Sequence, residues 1–423
     1  MSLQDEVRGL ASAARRASAA LKRASGEVRD AFLGVLASLL ENRVGEIESA
    51  NRSDLAAGEI AGMAPAMLDR LLLDTRRIGA IAQDLRQLAR LPDPLAERFD
   101  ARTLDSGLQV HKRRVPLGVL GVIYESRPNV TIDVAALAIK TGNAAVLRGG
   151  KEAIASNRVL LGIAREALAD CGLPADALQF VDRSEREASL ALLQQDDLID
   201  LIIPRGGAGL HAFCRQHSRI PVITGGIGIC HLYVDRHADL ERALPVIRNA
   251  KVQRPTVCNA LDTVLVHREV AARFVPALVA LLGGDGVEFR CDDASLPLAD
   301  AVPEMRVRPA GPQDFDTEWL ALVLGIRVVD DAEAAMAHIE RHSSGHSDGI
   351  LSENPELAAT FLERIDSAAV YWNASTRFTD GGALGLGAEV AISTQRLHAR
   401  GPMGLAELTS YKWVIEGDYH VRC

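Results

Sequence analysis

The sequence predicts an α/β protein with two doubly wound parallel sheets, and two observations carry this prediction. Short apolar runs alternate with helical segments along most of the chain, which is typical of parallel sheets covered by helices. The composition is 48% hydrophobic but only 4% aromatic, which favours a core of small aliphatic layers around buried strands. Because 423 residues exceed one ordinary core, we expect at least two domains.

The region from residue 3 to about 93 predicts several amphipathic helices, because apolar residues recur there at helical spacing, as in Val28, Phe32, Val35 and Leu39. Ser25, followed by acidic residues, predicts the start of one of these helices. The prolines of residues 91–94 (LPDP) then end the helical region.

The remaining elements follow from the period of the apolar residues. In the first α/β unit we expect an exposed strand at 108–115, buried strands at 118–124, 144–148 and 198–203, and helices at 133–140 and 157–171. A second α/β unit is predicted from about 221 to about 390, with strands at 231–234, 261–266 and 326–329. The apolar stretch at 408–421 predicts a tail that pairs with another subunit or folds back on its own domain.

Charge and cysteine usage exclude several function classes. The net charge of −9 argues against nucleic-acid binding, which needs a clustered basic surface. The polar, acidic start does not resemble a secretion signal, and no apolar run approaches the roughly 18 residues of a membrane span. The six cysteines are scattered without a Cys-x-x-Cys pair, which favours reduced thiols over disulfides or a metal cluster. We therefore expect a cytoplasmic protein.

Cys258 is the candidate nucleophile, since it lies between a proline-marked loop and an apolar run. A thiol there, if placed at a helix start near Arg254, would have a lowered pKa. Composition alone leaves open that Cys258 is an inert buried cysteine. A cysteine protease with His231 as base has no local signature, and His338 and His342 lack a third zinc ligand.

Two glycine-rich turns are candidate nucleotide contacts. The patterns GxGxxG and the Walker loop are absent, but RGGK at 148–151 and RGGAG at 205–209 each follow a predicted strand. Glycine backbone and a cation at the carboxyl end of a parallel strand suit a phosphate. A plain surface turn is the alternative for each of them.

Together these segments closely resemble the γ-glutamyl phosphate reductases (glutamate-5-semialdehyde dehydrogenases) of proline biosynthesis, a branch of the aldehyde dehydrogenase superfamily. Four blocks carry the resemblance, which covers nearly the whole chain: YESRPNVT at 124–131 running on to TGN at 141–143 and LRGGKEA at 147–153; QRPTVCNAL at 253–261; NASTRFTDG at 373–381; and ISTQRLHARGPMG at 392–404.

The resemblance implies a reaction and two catalytic residues. The expected reaction is NADPH-dependent reduction of L-glutamyl 5-phosphate to L-glutamate 5-semialdehyde and phosphate. Cys258 matches the family's catalytic cysteine, which carries the acyl group as a thioester. Asn129 matches the asparagine of the oxyanion hole, where each donor contributes on the order of 3 kcal/mol. No metal is implied.

The resemblance also implies binding residues. For NADPH they are Arg148, Lys151 and Glu318, and the glycine-rich turn at 205–209 adds Arg205, Gly206 and Gly207 as candidate contacts. Lys151 stands where NAD-preferring relatives often carry a glutamate, so it would favour a 2′-phosphate, and Glu318 matches the glutamate that holds the nicotinamide ribose. The cations expected around the substrate are Arg254, Arg377, His398 and Arg400, and an ion pair within the protein is the alternative for each.

One block departs from the branch, which commonly reads ETGxGNCH before its next strand. This chain reads TGGIGICH at 224–231, so Thr224 replaces the glutamate and Ile229 the asparagine. In hydrolytic relatives that glutamate activates water. A reductase needs no such base, so Thr224 favours reduction and counts against aldehyde oxidation.

The resemblance implies an aldehyde-dehydrogenase-like architecture. We expect a cofactor-binding domain at 1–223, a catalytic domain at 224–403 and a C-terminal tail at 404–423. A hairpin at about 106–118 and the tail would form a small oligomerisation element, so a homo-oligomer is expected, with possible functional coupling to glutamate 5-kinase. Two alternatives stay open, namely a dehydrogenase of another small semialdehyde and a catalytically silent scaffold for that kinase.

Overall fold

The computed structural model describes residues 2–225 and 227–422. The chain divides into two compact units. The first contains residues 1–224, 385–391 and 403–423, and the second contains 225–384 and 392–402. Segment 385–391, inside the range predicted for the catalytic domain, therefore packs with the first unit.

The first unit begins with five helices, as the apolar periodicity predicts: α1 (Leu3–Leu21), α2 (Gly26–Asn42), α3 (Val44–Ile60), α4 (Pro65–Leu71) and α5 (Thr75–Arg90). The Ser25 hydroxyl accepts the Val28 N–H and caps α2, which confirms the predicted start. Arg29 is buried on α2, where it donates to the Lys140 carbonyl at 2.8 Å and pairs with Asp93 at 2.8 Å. These bonds satisfy a charge that would otherwise be costly to bury.

The first unit then forms a four-stranded parallel sheet whose strands lie side by side in the order 178–180, 144–148, 119–124 and 201–205. A hairpin comes first, made of β1 (Arg98–Thr103) and β2 (Gln109–Pro116). The sheet and its helices follow: β3 (Val119–Tyr124), α6 (Asn129–Lys140), β4 (Ala144–Arg148), α7 (Ile154–Asp170), β5 (Leu178–Phe180), α8 (Arg186–Leu192), β6 (Leu201–Arg205) and α9 (Ala208–His217). Every residue of β3 is buried, as expected for a strand covered on both faces.

The predicted starts of two helices and one strand around this sheet were wrong. The observed starts depend on a distant side chain or on a turn. Helix α7 starts at Ile154 rather than 157, since Asp54 accepts the Ala155 and Ser156 amides from 101 and 102 residues away. Helix α6 starts at Asn129 rather than 133, directly after Pro128. Strand β6 starts three residues after 198, because Asp200 caps the start of β3 by accepting the Val119 amide at 2.7 Å.

The second unit holds a seven-stranded parallel sheet whose strands lie side by side in the order 306–309, 288–291, 323–329, 261–267, 230–234, 347–351 and 369–372. Its elements are β7 (Cys230–Val234), α10 (Leu240–Val252), β8 (Leu261–His267), α11 (Arg268–Gly284), β9 (Glu288–Cys291), α12 (Leu296–Asp300), β10 (Arg306–Pro309), β11 (Val323–Val329), α13 (Ala332–His342), β12 (Ser347–Leu351), α14 (Pro355–Arg364) and β13 (Ala369–Trp372). Two short antiparallel strands, β14 (Ile392–Ser393) and β15 (Gly401–Pro402), pair separately. The strands predicted at 231–234, 261–266 and 326–329 are confirmed as β7, β8 and β11.

A three-stranded antiparallel sheet completes the first unit. Strand β16 (Thr409–Glu416) pairs with β2 along its length, so the tail folds back on its own chain. On one face, the Lys112 ammonium lies 4.6 Å from the Tyr411 ring and 5.0 Å from the Trp413 ring. These cation–π contacts stabilise the pairing of β2 with β16. Tyr411 and Trp413 remain about half exposed on β16.

Every helix in the described part of the chain is too short or too polar to cross a lipid bilayer.

Candidate active site

Cys258 lies in the turn between α10 and β8, where it is half-buried. Helix α10 ends at Val252 because Pro255 has no N–H to continue the helical ladder and disfavours helical geometry at the residue before it. The expectation of a helix start at Cys258 was therefore wrong, and no helix dipole acts directly on the thiol. The turn presents the thiol ahead of β8, whose residues are all buried.

A glycine allows the segment before β7 to approach the backbone of Cys258. A Cβ atom at Gly228 would stand 1.7 Å from the Cys258 carbonyl oxygen and 2.7 Å from its Cα. Two residues on, the buried Cys230 thiol donates to the same carbonyl oxygen at 3.3 Å. The only side chain that this packing admits at position 228 is hydrogen.

Glu318 is tied to the same segment. Its Oε1 accepts the Gly228 N–H at 3.0 Å, so the carboxylate and the Cys258 turn share one short stretch of backbone. The next residue, Ile229, is buried and donates its N–H to the Ser344 hydroxyl at 2.9 Å. Glu318 and the Cys258 turn therefore both contact the short segment around Gly228.

Two of the predicted substrate cations lie near Cys258. Arg377 follows β13 and donates to Gln253 at 3.0 Å and to the Asn259 side chain, so it bonds residues on both sides of the turn. Burial lowers the pKa of Arg377, and the nearby charge of Arg254 lowers it further. Arg254 itself is exposed. A pair of close guanidinium groups is a suitable receptor for an anion.

The other two predicted substrate cations lie in the loop between β14 and β15. Arg400 donates to the Asp366 carboxylate at 2.6 Å, and Arg396 pairs with the same carboxylate. The hydrogen bond from Arg400 is the largest cause of the lowered pKa of Asp366. The positive charges of Arg400 and Arg396 lower this pKa further. His398 is exposed and has a positive φ of 71°. Arg400 is thus already engaged by a carboxylate.

His231, considered as a protease base, is fully buried and holds its Nδ1 3.0 Å from Asp348. His338 and His342 stack with ring centroids 4.4 Å apart. Among the described residues no group of three or more His, Cys, Asp or Glu side chains could hold a metal ion.

In the first unit, Asn129 occupies the first position of α6 and donates its side-chain N–H to Asp133 at 2.9 Å. This bond fixes the amide and leaves its second N–H for another acceptor. Burial raises the pKa of Asp133 to about 6, against the lowering effect of the hydrogen bond from Asn129.

The raised pKa of Asp133 predicts a pH-dependent gain from Asp133→Asn. The unfolded carboxyl titrates near 3.8, so between that value and about 6 the folded state binds more protons and loses stability as the pH rises. An asparagine keeps an acceptor for Asn129 and avoids this loss. We expect the midpoint of thermal unfolding to rise by about 4 °C at pH 8 and little at pH 4. Asp196→Asn, in an exposed turn, is the control and should leave the unfolding midpoint unchanged. A shift of the midpoint in this control, or an equal shift at both pH values in Asp133→Asn, would contradict the prediction.

Two of the predicted cofactor residues lie at the carboxyl ends of parallel strands in the first unit. Arg148 ends β4 and Arg205 ends β6, on either side of β3. Arg148 donates to the Ser184 carbonyl at 2.9 Å, and burial lowers its pKa. The Nε atoms of both arginines are buried without a hydrogen-bond partner among the described residues. The two arginines therefore place guanidinium groups at the edge where open α/β sheets bind nucleotides.

Glu125, which the sequence did not single out, follows β3 directly, and its carboxylate lies in the glycine-rich turn after β6. Its carboxylate accepts the Gly207 N–H at 3.0 Å, and a Cβ at Gly206 would stand 2.4 Å from it. A phosphate could take this amide only after the carboxylate had moved. Lys151 is exposed, and its neighbour Glu152 accepts the Ser126 N–H at 2.6 Å.

Known proteins share this sequence and fold. A family model described as "Aldehyde dehydrogenase family" matches residues 2–284. A γ-glutamyl phosphate reductase from Roseiflexus castenholzii is 55% identical over 413 residues, covering 97% of both chains. One from Shewanella piezotolerans is 52% identical over 423 residues, covering 100% of both. A crystal structure of γ-glutamyl phosphate reductase from Thermotoga maritima superposes with a TM-score of 0.94 at 42% identity, covering 99% of this chain and 100% of that one.

Proposed function

Because the chain belongs to the aldehyde dehydrogenase family, in its γ-glutamyl phosphate reductase branch, we propose that it reduces L-glutamyl 5-phosphate to L-glutamate 5-semialdehyde and phosphate with NADPH. This is the second step of proline biosynthesis from glutamate. The identity of 52–55% over at least 97% of the chain carries the proposal. Cys258, half-buried in a turn ahead of a buried strand, supports it.

The proposed chemistry starts at the Cys258 thiolate. It attacks the acyl carbon of glutamyl phosphate, and phosphate leaves with the bonding electrons, which gives a thioester. Asn129 and the Cys258 backbone N–H are proposed to stabilise the negative charge that develops on the carbonyl oxygen. When bound, NADPH supplies the hydride that reduces the thioester. The resulting hemithioacetal collapses to the aldehyde and restores the thiol, so that one difficult reduction is divided into two steps.

Arg254 and Arg377 are the best-supported substrate cations, because both lie near the Cys258 turn. We propose that they bind the phosphate or the α-carboxylate of the substrate. Arg400 would have to exchange its bond with Asp366 for a bond to substrate, and His398 lies in the same loop. Thr224 offers no carboxylate to activate water, so we propose that the thioester is discharged by hydride, or by phosphate in reverse, rather than by hydrolysis.

For NADPH, we propose contacts from Arg148, Lys151, Arg205, Gly206, Gly207 and Glu318. The position of the two arginines at strand ends and the exposed ammonium of Lys151 support this assignment.

Lys151→Glu is expected to remove the preference for NADPH. A glutamate at this position would repel a 2′-phosphate and accept hydrogen bonds from the ribose hydroxyls of NADH instead. We expect the ratio of kcat/KM for NADPH over NADH to fall by roughly 10- to 50-fold, the size of one charge-assisted contact. Lys22→Glu makes the same charge change at an exposed position of the first unit and should leave the ratio unaltered. A wild-type preference for NADH would defeat the assignment.

The antiparallel sheet of β1, β2 and β16 is the proposed oligomerisation element. It carries the exposed aromatic rings of Tyr411 and Trp413, which are typical of protein interfaces. We propose a homo-oligomer of this chain in the cytoplasm, functionally coupled to the glutamate 5-kinase that makes its unstable substrate.

The experiment that tests the proposed function is the reverse reaction, in which purified protein reduces NADP⁺ with glutamate semialdehyde in the presence of phosphate. We expect turnover that depends on phosphate. Steady oxidation without phosphate would favour a dehydrogenase of another semialdehyde. A protein that gives no turnover, and whose Cys258 is labelled equally with and without NADPH or substrate, would be a silent scaffold.

A further inference from the structure

A buried ion pair brackets the turn that carries Cys258. Lys251 lies in the last turn of α10, and Asp262 is the second residue of β8. Their side chains are 0% and 3% exposed, and Lys251 Nζ is 3.6 Å from Asp262 Oδ1. One partner thus precedes the turn and the other follows it.

Asp262 is also the extra residue of a β-bulge. The pairing of β7 with β8 runs from Cys230↔Leu261 to His231↔Thr263, which leaves Asp262 without an opposite residue. A bulge turns a side chain in a direction that a regular strand does not allow, and bulges are frequent beside active sites. Here it lets the Asp262 carboxylate reach the backbone of its neighbours.

The two carboxylate oxygens of Asp262 join the segments that surround Cys258. Oδ2 accepts the N–H of Cys230 at 3.5 Å, and Oδ1 accepts the N–H of Trp319, next to Glu318, at 3.2 Å. The Cys230 thiol in turn bonds the Cys258 carbonyl, and Glu318 bonds Gly228. Every link in this chain of contacts lies within the second unit.

Burial costs both charges free energy. It raises the pKa of Asp262 to about 6 and lowers that of Lys251, while the attraction between them opposes both shifts. Lys251 Nζ has no hydrogen-bond partner among the described residues. Two apolar side chains would often be at least as stable here. Stability alone therefore does not explain why a charged pair is buried at this place.

We propose that Asp262, held by Lys251, is a positioning residue that fixes the backbone of the Cys258 turn relative to the segments of Cys230 and Glu318. This inference rests on the function proposed above, because it assigns the pair to the presentation of the nucleophile. Both side chains are buried, so the proposed role is to hold backbone rather than to bind substrate.

The test separates stability from turnover by removing both charges together. Lys251→Met or Asp262→Asn alone leaves one unpaired buried charge and lowers the midpoint of thermal unfolding. The double variant removes both charges, so the midpoint recovers, but the asparagine amide introduced at position 262 can accept with only one oxygen. We expect kcat of the phosphate-dependent reverse reaction to stay about 10-fold below wild type in the folded double variant, since small displacements of reacting groups cost rate.

Hydrogen exchange provides a readout that needs no substrate. In the double variant, we expect the peptides containing the Cys230 and Trp319 amides to exchange faster than in wild type. The matched control is Arg248→Met with Asp285→Asn, which removes an ion pair of 2.6 Å from the same helix, three residues before Lys251. The control should change neither exchange in these peptides nor kcat.

The outcomes decide the two proposals separately. If turnover recovers together with the unfolding midpoint in the double variant, the pair is purely structural and the positioning role is overturned. If wild type shows no phosphate-dependent turnover, the proposed function fails, and hydrogen exchange alone decides the inference. Unchanged exchange of the Cys230 and Trp319 peptides then overturns it.

Discussion

Replacing the Cys258 sulfur by oxygen should lower phosphate-dependent turnover by on the order of 10⁴-fold or more, the usual cost of losing a nucleophile. A serine hydroxyl ionises far less readily than a thiol and needs an activating base. Cys258→Ser should fold normally, because the two side chains differ little in size.

Cys171→Ser is the matched control. Cys171 is also half-buried, but it lies in the first unit at the end of α7, and burial raises the pKa of its thiol. We expect this variant to retain wild-type turnover. Mass spectrometry of wild-type enzyme quenched during turnover should find the glutamyl adduct on the peptide of Cys258. Retention of most activity in Cys258→Ser, or an adduct on another cysteine, would refute the thioester mechanism.

Gly228→Ala should reduce kcat by about 100-fold, the effect expected when a reacting group moves by roughly 1 Å. The new methyl group would stand 1.7 Å from the Cys258 carbonyl oxygen, so the turn or the loop has to move. Movement of either one also disturbs the bond from the Gly228 N–H to Glu318. The measurement is kcat of the reverse reaction, together with the midpoint of thermal unfolding.

Gly284→Ala is the control for this substitution. Gly284 ends α11 in the same unit, and a Cβ there would meet no atom within 4 Å. Its turnover and unfolding midpoint should match wild type. If Gly228→Ala also kept wild-type kcat, the close approach of the loop to Cys258 would have no bearing on catalysis.

The sequence predicted the elements whose signal is local. The buried strands β3, β4, β7 and β8 were visible as short apolar runs, and the cap of α2 was visible as a serine before acidic residues. The same kind of reasoning missed the start of α7, because its cap, Asp54, lies about 100 residues earlier. Helix ends that depend on distant side chains leave no mark in a local pattern.

The candidate site divides in the same way. Cys258, Asn129 and the substrate cations stand in sequence blocks that are recognisable without a structure. Asp262 and Lys251 were missed, since a β-bulge depends on how two strands pair and not on the residues of one strand. Glu125 was missed because its bond to the Gly207 amide crosses between two strand ends. The sequence marks the importance of Gly228 only weakly, through its place as the last glycine before Cys230.

The antiparallel sheet of β1, β2 and β16 has a consequence for biosynthesis on the ribosome. Arg114 on β2 donates to Thr409 on β16 from 295 positions away in the sequence. The hairpin of β1 and β2 is therefore translated early, and the edge of β2 that pairs with β16 stays open while the ribosome makes the whole of the second unit. Since open strand edges favour aggregation, nascent chains stalled before residue 409 should depend on chaperones more than the finished protein does.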